Sequence, residues 1–490
     1  MSGLPILEKD LPYIDLSDDT VRKRFEKFLL NVITEKYGRY MRSALNVSYA
    51  GSPGMLFYID DESGPLFEIL ISYSSNSIQY RVTLLRPFTI RMMLEGVARL
   101  LESALNFFAE TGGFGAAYFV FVPGRRLIPP RAESKSKRTL QSLFLGNLVF
   151  IFAISILISY AVFIVFGSYT PIVLVLMQIP IMVISYKITP LIMGDWKLDS
   201  SHRLVYLIGL KMPIEKYQIV LQKVLLPHRF DVKKKLYESS LERGEEPNEE
   251  SVKKVLTELN LQPEEYEIEI RKVDLYNIVE QVAKRFKLKN VPSVYLSNII
   301  YPNAAASGVC PSLASVLITT GLISRLDEAE IEAVIGHEIS HLKRRDVLTF
   351  FVLSSIEYLS RVYLTLLLWP LLATPLGLFY LSFSLTVFFV VAKFVEMRAD
   401  IDSALYVGRP EKLASALRKI GLKHIFLESS PWGRLMAWLK WDPHPPVTYR
   451  IEQLSKMASS GIIRGPWRKA ISCSLADISR SFRLMLFAHL

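Results

Sequence analysis

The chain has 490 residues, room for two or three domains, and half of them are hydrophobic. Its mean hydropathy of +0.26 is high for a soluble enzyme and points to membrane segments. A net charge of +11 fits nucleic acid or an anionic membrane surface, but no Cys/His finger spacing or RRM signature accompanies it. The bilayer is therefore the expected partner, and nucleic acid is not. Two cysteines, Cys310 and Cys473, give no disulfide framework and fit a reducing compartment. The first residues lack the basic-then-apolar pattern of a cleaved signal peptide.

Residues 1–130 read as a soluble α+β domain. A charged helix is expected over 21–37, then strands at 45–49, 55–59, 66–72 and 78–85, separated by Ser, Pro, Gly and Asn turns. An amphipathic helix over 90–109 and a last strand over 116–122 follow, with no catalytic constellation among them. Next comes a basic linker, Arg125, Arg126, Arg131, Lys135, Lys137 and Arg138 against the single acid Glu133.

From Thr139 to Tyr186 no residue is charged. As helix that run would be about 70 Å long, too long for one crossing of a core of roughly 30 Å. Gly167-Ser168-Tyr169-Thr170-Pro171 breaks it, so residues 139–194 read as a membrane hairpin, 140–166 out and 172–193 back. Its turn carries no Lys or Arg while its entry is crowded with them, which places both ends in the cytoplasm.

Residues 195–346 read as the first part of a cytoplasmic domain, beginning with a charged insertion to about Lys272. A helix over 278–286 and strands over 291–296, 303–308 and 315–320 lead into Ile335-Gly336-His337-Glu338-Ile339-Ser340-His341. At i and i+4 the two histidines share one helix face and can hold one metal ion. Glu338 is placed to act as general base toward the attacking water. The chain has only seven histidines, so a chance His-Glu-x-x-His is improbable.

A catalytic zinc needs a third ligand. The metzincin solution is absent, with Arg344 in place of its glycine and Val347 in place of its histidine. The best candidate is Glu396, in Val395-Glu396-Met397-Arg398-Ala399-Asp400, where Asp400 again stands at i+4 and suits a carboxylate that orients a ligand. The same spacing also suits a charged helix end leaving a membrane.

If His337, His341 and Glu396 share an ion, the apolar block between them crosses the bilayer an even number of times. Residues 347–392 then form a second hairpin, with arms near 347–369 and 376–392 around a charge-free turn. Lys343-Arg344-Arg345 before it and Lys393 after it again place its ends in the cytoplasm. Glu357 and Arg361, at i and i+4, are expected to pair within the helix or lie near the surface. Residues 393–490 complete the protease domain. There a helix is expected over 404–420, Trp432, Trp438 and Trp441 suit an interface or plain packing, and His444 stands between prolines ahead of Arg450.

Taken together these motifs resemble the HtpX-type membrane zinc metallopeptidases, relatives of the CAAX-prenyl endopeptidases. The pieces that match are Val291-Pro292 through Tyr295, Asn303-Ala304-Ala305-Ala306-Ser307-Gly308, His337-Glu338-Ile339-Ser340-His341, Glu396-Met397-Arg398-Ala399-Asp400 and His444-Pro445-Pro446 to Arg450. The resemblance spans residues 140–454 and implies one Zn²⁺ per chain on His337, His341 and Glu396, with Glu338 as base and Asp400 orienting a ligand. It further implies that His444 and Arg450 act near the transition state, and that Asn303, Ala304, Ala305 and Ala306 take up substrate backbone.

The fold expected is α+β with four transmembrane helices in two hairpins, a soluble α+β N-terminal domain and a mostly helical zincin-like protease domain with a small sheet. The activity expected is endopeptidase cleavage at the cytoplasmic membrane face, with membrane proteins as substrates in quality control. Processing of lipidated C-termini is the alternative within the same chemistry, and an inactive membrane scaffold the alternative outside it.

Overall fold

The computed structural model describes residues 6–11, 16, 18–61, 64–74, 78–85, scattered positions from 97 to 108, 111–127, 148–369, 374–428, 431–460 and 466–487. Two compact units emerge, the first made of Met1–Ala117, Gly209–Lys233 and Glu249–Glu269, the second of the remainder.

The first unit is built on a five-stranded antiparallel sheet, β1 (Ile6–Leu11), β2 (Met41–Tyr49), β3 (Ser52–Asp61), β4 (Gly64–Tyr73) and β5 (Ile78–Leu84), in the order β1-β5-β4-β3-β2. Phe57 and Ile59 on β3, Phe67, Ile69 and Ile71 on β4, and Tyr80 and Val82 on β5 are buried at every second position. That alternation puts one face of each strand into the core. Helix α1 (Asp19–Tyr37) buries Phe25, Phe28, Leu29 and Ile33, a stripe at helical spacing. Asp18 caps it by accepting from Thr20 N at 2.8 Å. The helix and strands β3 to β5 follow the hydrophobic pattern read above, and β2 forms where a strand was expected without a fully buried position. Strand β1 was not expected: Glu8, Lys9 and Asp10 break its apolar alternation, and pairing with β5 defines it. Of the expected helix over 90–109, positions 90–96 lie outside the described residues, as do linker positions 128–138 and the first hairpin's 140–147.

In the second unit, β7 (Trp196–Leu198), β10 (Ser293–Ser297), β11 (Ala304–Cys310) and β12 (Leu313–Thr319) form a sheet of order β11-β12-β10-β7. The pair β10 and β12 is parallel and both outer pairs are antiparallel, so β11 is an edge strand. A second sheet, of order β6-β8-β9, contains β6 (Phe114–Phe121), β8 (Leu204–Pro213) and β9 (Glu267–Asp274) and gives Val120, Val205, Leu207 and Val273 to the core.

Three helical segments of the described residues are long and apolar enough to cross a membrane: Ile154–Met193, Asp346–Leu367 and Pro375–Val407. The first, of 40 residues, is interrupted by a 3₁₀ turn at Gly167–Tyr169, where Gly167 takes a φ of +52°, a value glycine adopts at little cost. It divides into α2 (Leu148–Phe166) and α3 (Thr170–Met193). Helix α4 (Glu328–Arg344) carries the His-Glu-x-x-His run and opens on a capping box between Asp327 and Glu330. Arg345 (φ +58°) ends it in the left-handed region, and α5 (Asp346–Leu367) starts at once. Helix α6 (Pro375–Val407) runs unbroken from the apolar block through Glu396 and Asp400, 33 residues in all. Its first half exposes Leu378, Phe379 and Phe383, whereas Val395 to Ala404 are buried.

The helix expected over 404–420 is two helices, because Gly408 (φ +78°) caps α6 and Pro410 opens α7 (Pro410–Leu427). Helices α8 (Pro431–Leu439), α9 (Val447–Ser460) and α10 (Pro466–Phe487) complete the chain. Arg361 Nε donates to Glu357 at 3.0 Å, the pair expected within the second apolar block. Residues 370–373 of the expected turn lie outside the described residues.

Candidate metal centre

Helix α4 places His337 and His341 one turn apart, with rings edge to face and centroids 4.9 Å apart. Helix α6 brings Glu396 against them from 55 residues further along the chain. Nε2 of His337 and Nε2 of His341 lie 3.2 Å apart; the first is 3.4 Å from Glu396 Oε2 and the second 3.4 Å from Glu396 Oε1. A tetrahedral ion with N and O ligands at their usual distances requires edges of roughly 3.3–3.6 Å. His337, His341 and Glu396 thus bring one donor atom each within 4.8 Å of one another, close enough for one ion to bridge. The residues present fit a zinc-sized ion.

The outward nitrogens of both rings are held by acids. His341 Nδ1 donates to Asp346 Oδ2 at 2.7 Å, which leaves the Nε2 lone pair for a metal. Asp400 Oδ1 sits 2.8 Å from His337 Nδ1, a close charge contact that falls short of a well-aligned hydrogen bond. Burial pushes the His337 imidazole down, but Asp400 and Glu396 outweigh it and raise its pKa to about 10. Without metal this ring carries a proton at neutral pH.

Each supporting acid has its own arginine. Arg450 grips Asp400 with two bonds of 2.7 Å, Arg398 holds Asp346 through both terminal nitrogens, and Arg344 bonds both oxygens of Asp402 at 3.0 and 3.1 Å. Such bidentate pairs fix orientation as well as charge. By contrast, the ion pairs of Glu396 among the described residues are all with histidines: His337, His341 and His444, whose Nδ1 lies 3.0 Å away. Arginines thus neutralise the surrounding acids, and Glu396 is left facing histidines, where a metal cation can take the place of the His337 proton.

Glu338 Oε2 accepts from the backbone N–H of Ala306 on edge strand β11 at 2.9 Å. Ala306 therefore points its amide away from β12, and Ala304, two residues earlier, shares that orientation. The Asn303 backbone is engaged by Thr319, through Thr319 N at 3.0 Å and Thr319 Oγ1 at 2.9 Å. A cavity of about 490 Å³ is lined by His337, Glu338, Glu396, Asn303, Ala304, His444 and Arg450 together with apolar side chains of α7 and α8. The expected site residues are thus gathered in one place, although His341, Asp400, Ala305 and Ala306 are not in the cavity wall. His444 is the exposed member of the set, and Arg450 reaches His337 only through Asp400.

Sequence reading missed several supports. Asp346 lies five residues past His341, beyond the left-handed break at Arg345, where helical spacing gives no signal. Glu428 is buried and accepts from Val447 N and Thr448 N at 3.0 and 2.9 Å, capping α9 and so placing Arg450. Buried Lys393 donates to the carbonyls of Trp438 and Lys440 at 2.8 and 2.6 Å, fastening the loop that leads to His444. Of the three tryptophans, Trp438 is buried and donates to Asp477, Trp441 is exposed, and Trp432's side chain lies outside the described set.

The membrane-length helices and the two-histidine, one-carboxylate cluster on a His-Glu-x-x-His helix define the class, a membrane metalloprotease. The sequence model of peptidase family M48 matches residues 269–458. A protease HtpX homolog of Thermoanaerobacter pseudethanolicus is 31% identical over 229 residues, 40% of this chain and 73% of the relative. One from Caldanaerobacter subterraneus is 32% identical over 218 residues, 37% of this chain and 71% of the relative. The crystal structure of S. mikatae Ste24p overlaps 74% of each chain at 14% identity and a TM-score of 0.40, too loose a likeness to support an argument. The chain belongs to peptidase family M48, alongside the HtpX-type proteases.

Proposed function

We propose that the protein is a zinc endopeptidase in which His337, His341 and Glu396 hold the ion and Glu338 is the general base. The observation that carries this reading is the convergence of two ring nitrogens 3.2 Å apart with one carboxylate, Oε2 lying 3.4 Å from His337 Nε2 and Oε1 3.4 Å from His341 Nε2. Zinc so held would supply a Lewis acid and make water a nucleophile near neutral pH. Glu338 then takes a proton from the attacking water and delivers it to the leaving amine. Its hydrogen bond from Ala306 N holds the carboxylate against strand β11. An extended substrate segment laid along that edge gains main-chain hydrogen bonds at Ala304 and is held beside Glu338. His444, exposed at the rim, is placed to donate to the developing oxyanion. Arg450 works by clamping Asp400, and through it His337.

The helices are read as four spans in two hairpins, residues 139–194 and 347–392. Two observations support this. A helix of 40 residues would be about 60 Å long, twice the hydrocarbon thickness. The Tyr363 hydroxyl donates to Ser168 O at 3.2 Å, bringing the break at Gly167–Tyr169 beside the last turns of α5. Lys343, Arg344, Arg345 and Lys393 lie at the ends that carry the metal ligands, which supports reading the site, residues 195–346 and 393–490, and the domain of residues 1–130 as cytoplasmic. Misfolded or cleaved membrane proteins are the substrates that suit a site held against the bilayer.

The test is metal analysis with casein cleavage in detergent for the wild type, Glu338→Gln and Glu396→Ala. Glu338→Gln is expected to keep one zinc per chain and lose about 10²–10⁴-fold in activity. Glu396→Ala loses both metal and activity. Retention of stoichiometric zinc by Glu396→Ala would sink the assignment.

A further inference from the structure

Beside the cavity, two exposed apolar lips continue membrane helices. The first is Ile299-Ile300-Tyr301, where Ile300 is 88% and Tyr301 66% exposed. Nothing in a water-soluble loop accounts for that exposure, yet its stem is fastened to the end of α3. Ser297 Oγ donates to Met193 O at 2.6 Å, and Asn298 N donates to Asp195 at 2.7 Å. Just inside that end, α3 exposes Leu191 at 69%. The second lip is Leu439 and Trp441, 45% and 53% exposed. Trp441 Nε1 donates to Thr386 Oγ1 at 3.2 Å, and Thr386 lies seven residues, about 10 Å of helix, deeper along α6 than Lys393. Lys393 holds the same loop through the carbonyls of Trp438 and Lys440. Tyr301 from one lip and Lys440 from the other both line the cavity.

We propose that these lips sit in the headgroup layer of the bilayer, so that the cavity opens onto the lipid surface rather than into bulk water. An aromatic ring with one polar atom, flanked by aliphatic side chains, suits that layer, where apolar bodies are buried and polar tips stay wet. A substrate segment leaving the membrane then reaches the Ala304 edge without crossing solvent. The idea deepens the membrane-protease reading and rests on its placement of the site at the bilayer.

The experiment uses the full chain in lipid nanodiscs, with Cys310→Ser and Cys473→Ser. Ile300→Cys, Trp441→Cys and, as a water-facing control, Lys254→Cys each carry an environment-sensitive fluorophore. Labels at 300 and 441 should be quenched by lipids spin-labelled near the headgroup and be several-fold less sensitive to aqueous iodide than the label at 254. Iodide quenching equal at all three positions overturns the proposal. In parallel, Ile300→Asp should lower cleavage of a membrane-anchored substrate about tenfold and leave a short soluble peptide unaffected. An equal loss on both substrates would also overturn it, since the loop would then act on the cavity itself. If the wild type cleaves neither substrate, the protease reading fails, and the quenching pattern alone decides where the lips lie.

Discussion

The N-terminal sheet and the metal centre bury their side chains in opposite ways. Across strands β2 to β5 the buried set is apolar, with Ser72 and Thr83 the only buried polar side chains among the described residues there. At the metal centre His337, Glu396, Arg398, Asp400, Asp402 and Arg450 are all buried. Apolar burial is non-directional and tolerates some repacking. Buried charge is costly unless each group is matched, so its geometry is demanding. One region is built to be stable, and the other to bring two imidazoles and one carboxylate together where a cation can bridge them.

Substitutions that attack each region by its own logic test this contrast. The largest stability effect belongs to the apolar region. Phe57→Ala, at a fully buried position on β3, should cost about 3–5 kcal/mol, read as faster hydrogen exchange in peptides from β3 to β5. Zinc content should not change. At the metal centre a substitution that barely alters volume should matter instead. Asp400→Asn weakens the hold on His337 Nδ1 and leaves Arg450 without its counter-charge. A loss of about 10–100-fold in zinc affinity is expected by competition with a chelator.

The third test uses pH. His337 is protonated in the metal-free protein because its pKa is raised to about 10, and zinc must displace that proton. Zinc affinity should therefore rise with pH up to about 10, roughly tenfold per unit, and metal uptake should release protons. Calorimetry in buffers of different ionisation enthalpy reads the proton count; an uptake that releases none would break the picture. The smallest effect is expected for Glu428→Gln. The amides of Val447 and Thr448 bond different Glu428 oxygens, so glutamine keeps one of the two bonds and loses the other with the charge at the start of α9, about 1 kcal/mol. A matching small rise in KM, through Arg450, is the readout.

Local pattern carried much of this molecule. The period-two burial of β3 to β5, the stripe Phe25, Phe28, Leu29 and Ile33, and the i,i+4 histidines are visible along the chain because each is set by one element's own geometry. The break at Gly167 was legible for the same reason, a residue type suited to positive φ inside an uncharged run. Strand β1 was not, because its only warrant is the pairing partner β5, remote in sequence.

By itself, then, the sequence determined many of the elements, though not β1 or the division of residues 404–420 at Gly408, together with the membrane-length helices and the residue types able to bind a metal. Which carboxylate meets His337 and His341 was left open by spacing, since Glu396 lies 55 residues beyond His341 and only the return of α6 against α4 brings them together. The pairings Asp346 with His341 and Arg398, Asp400 with Arg450, and Glu428 with α9 were decided by tertiary structure alone. The physical reason is range: backbone and periodicity act over a few residues, whereas a buried charge is satisfied by whatever partner the fold carries within about 3 Å.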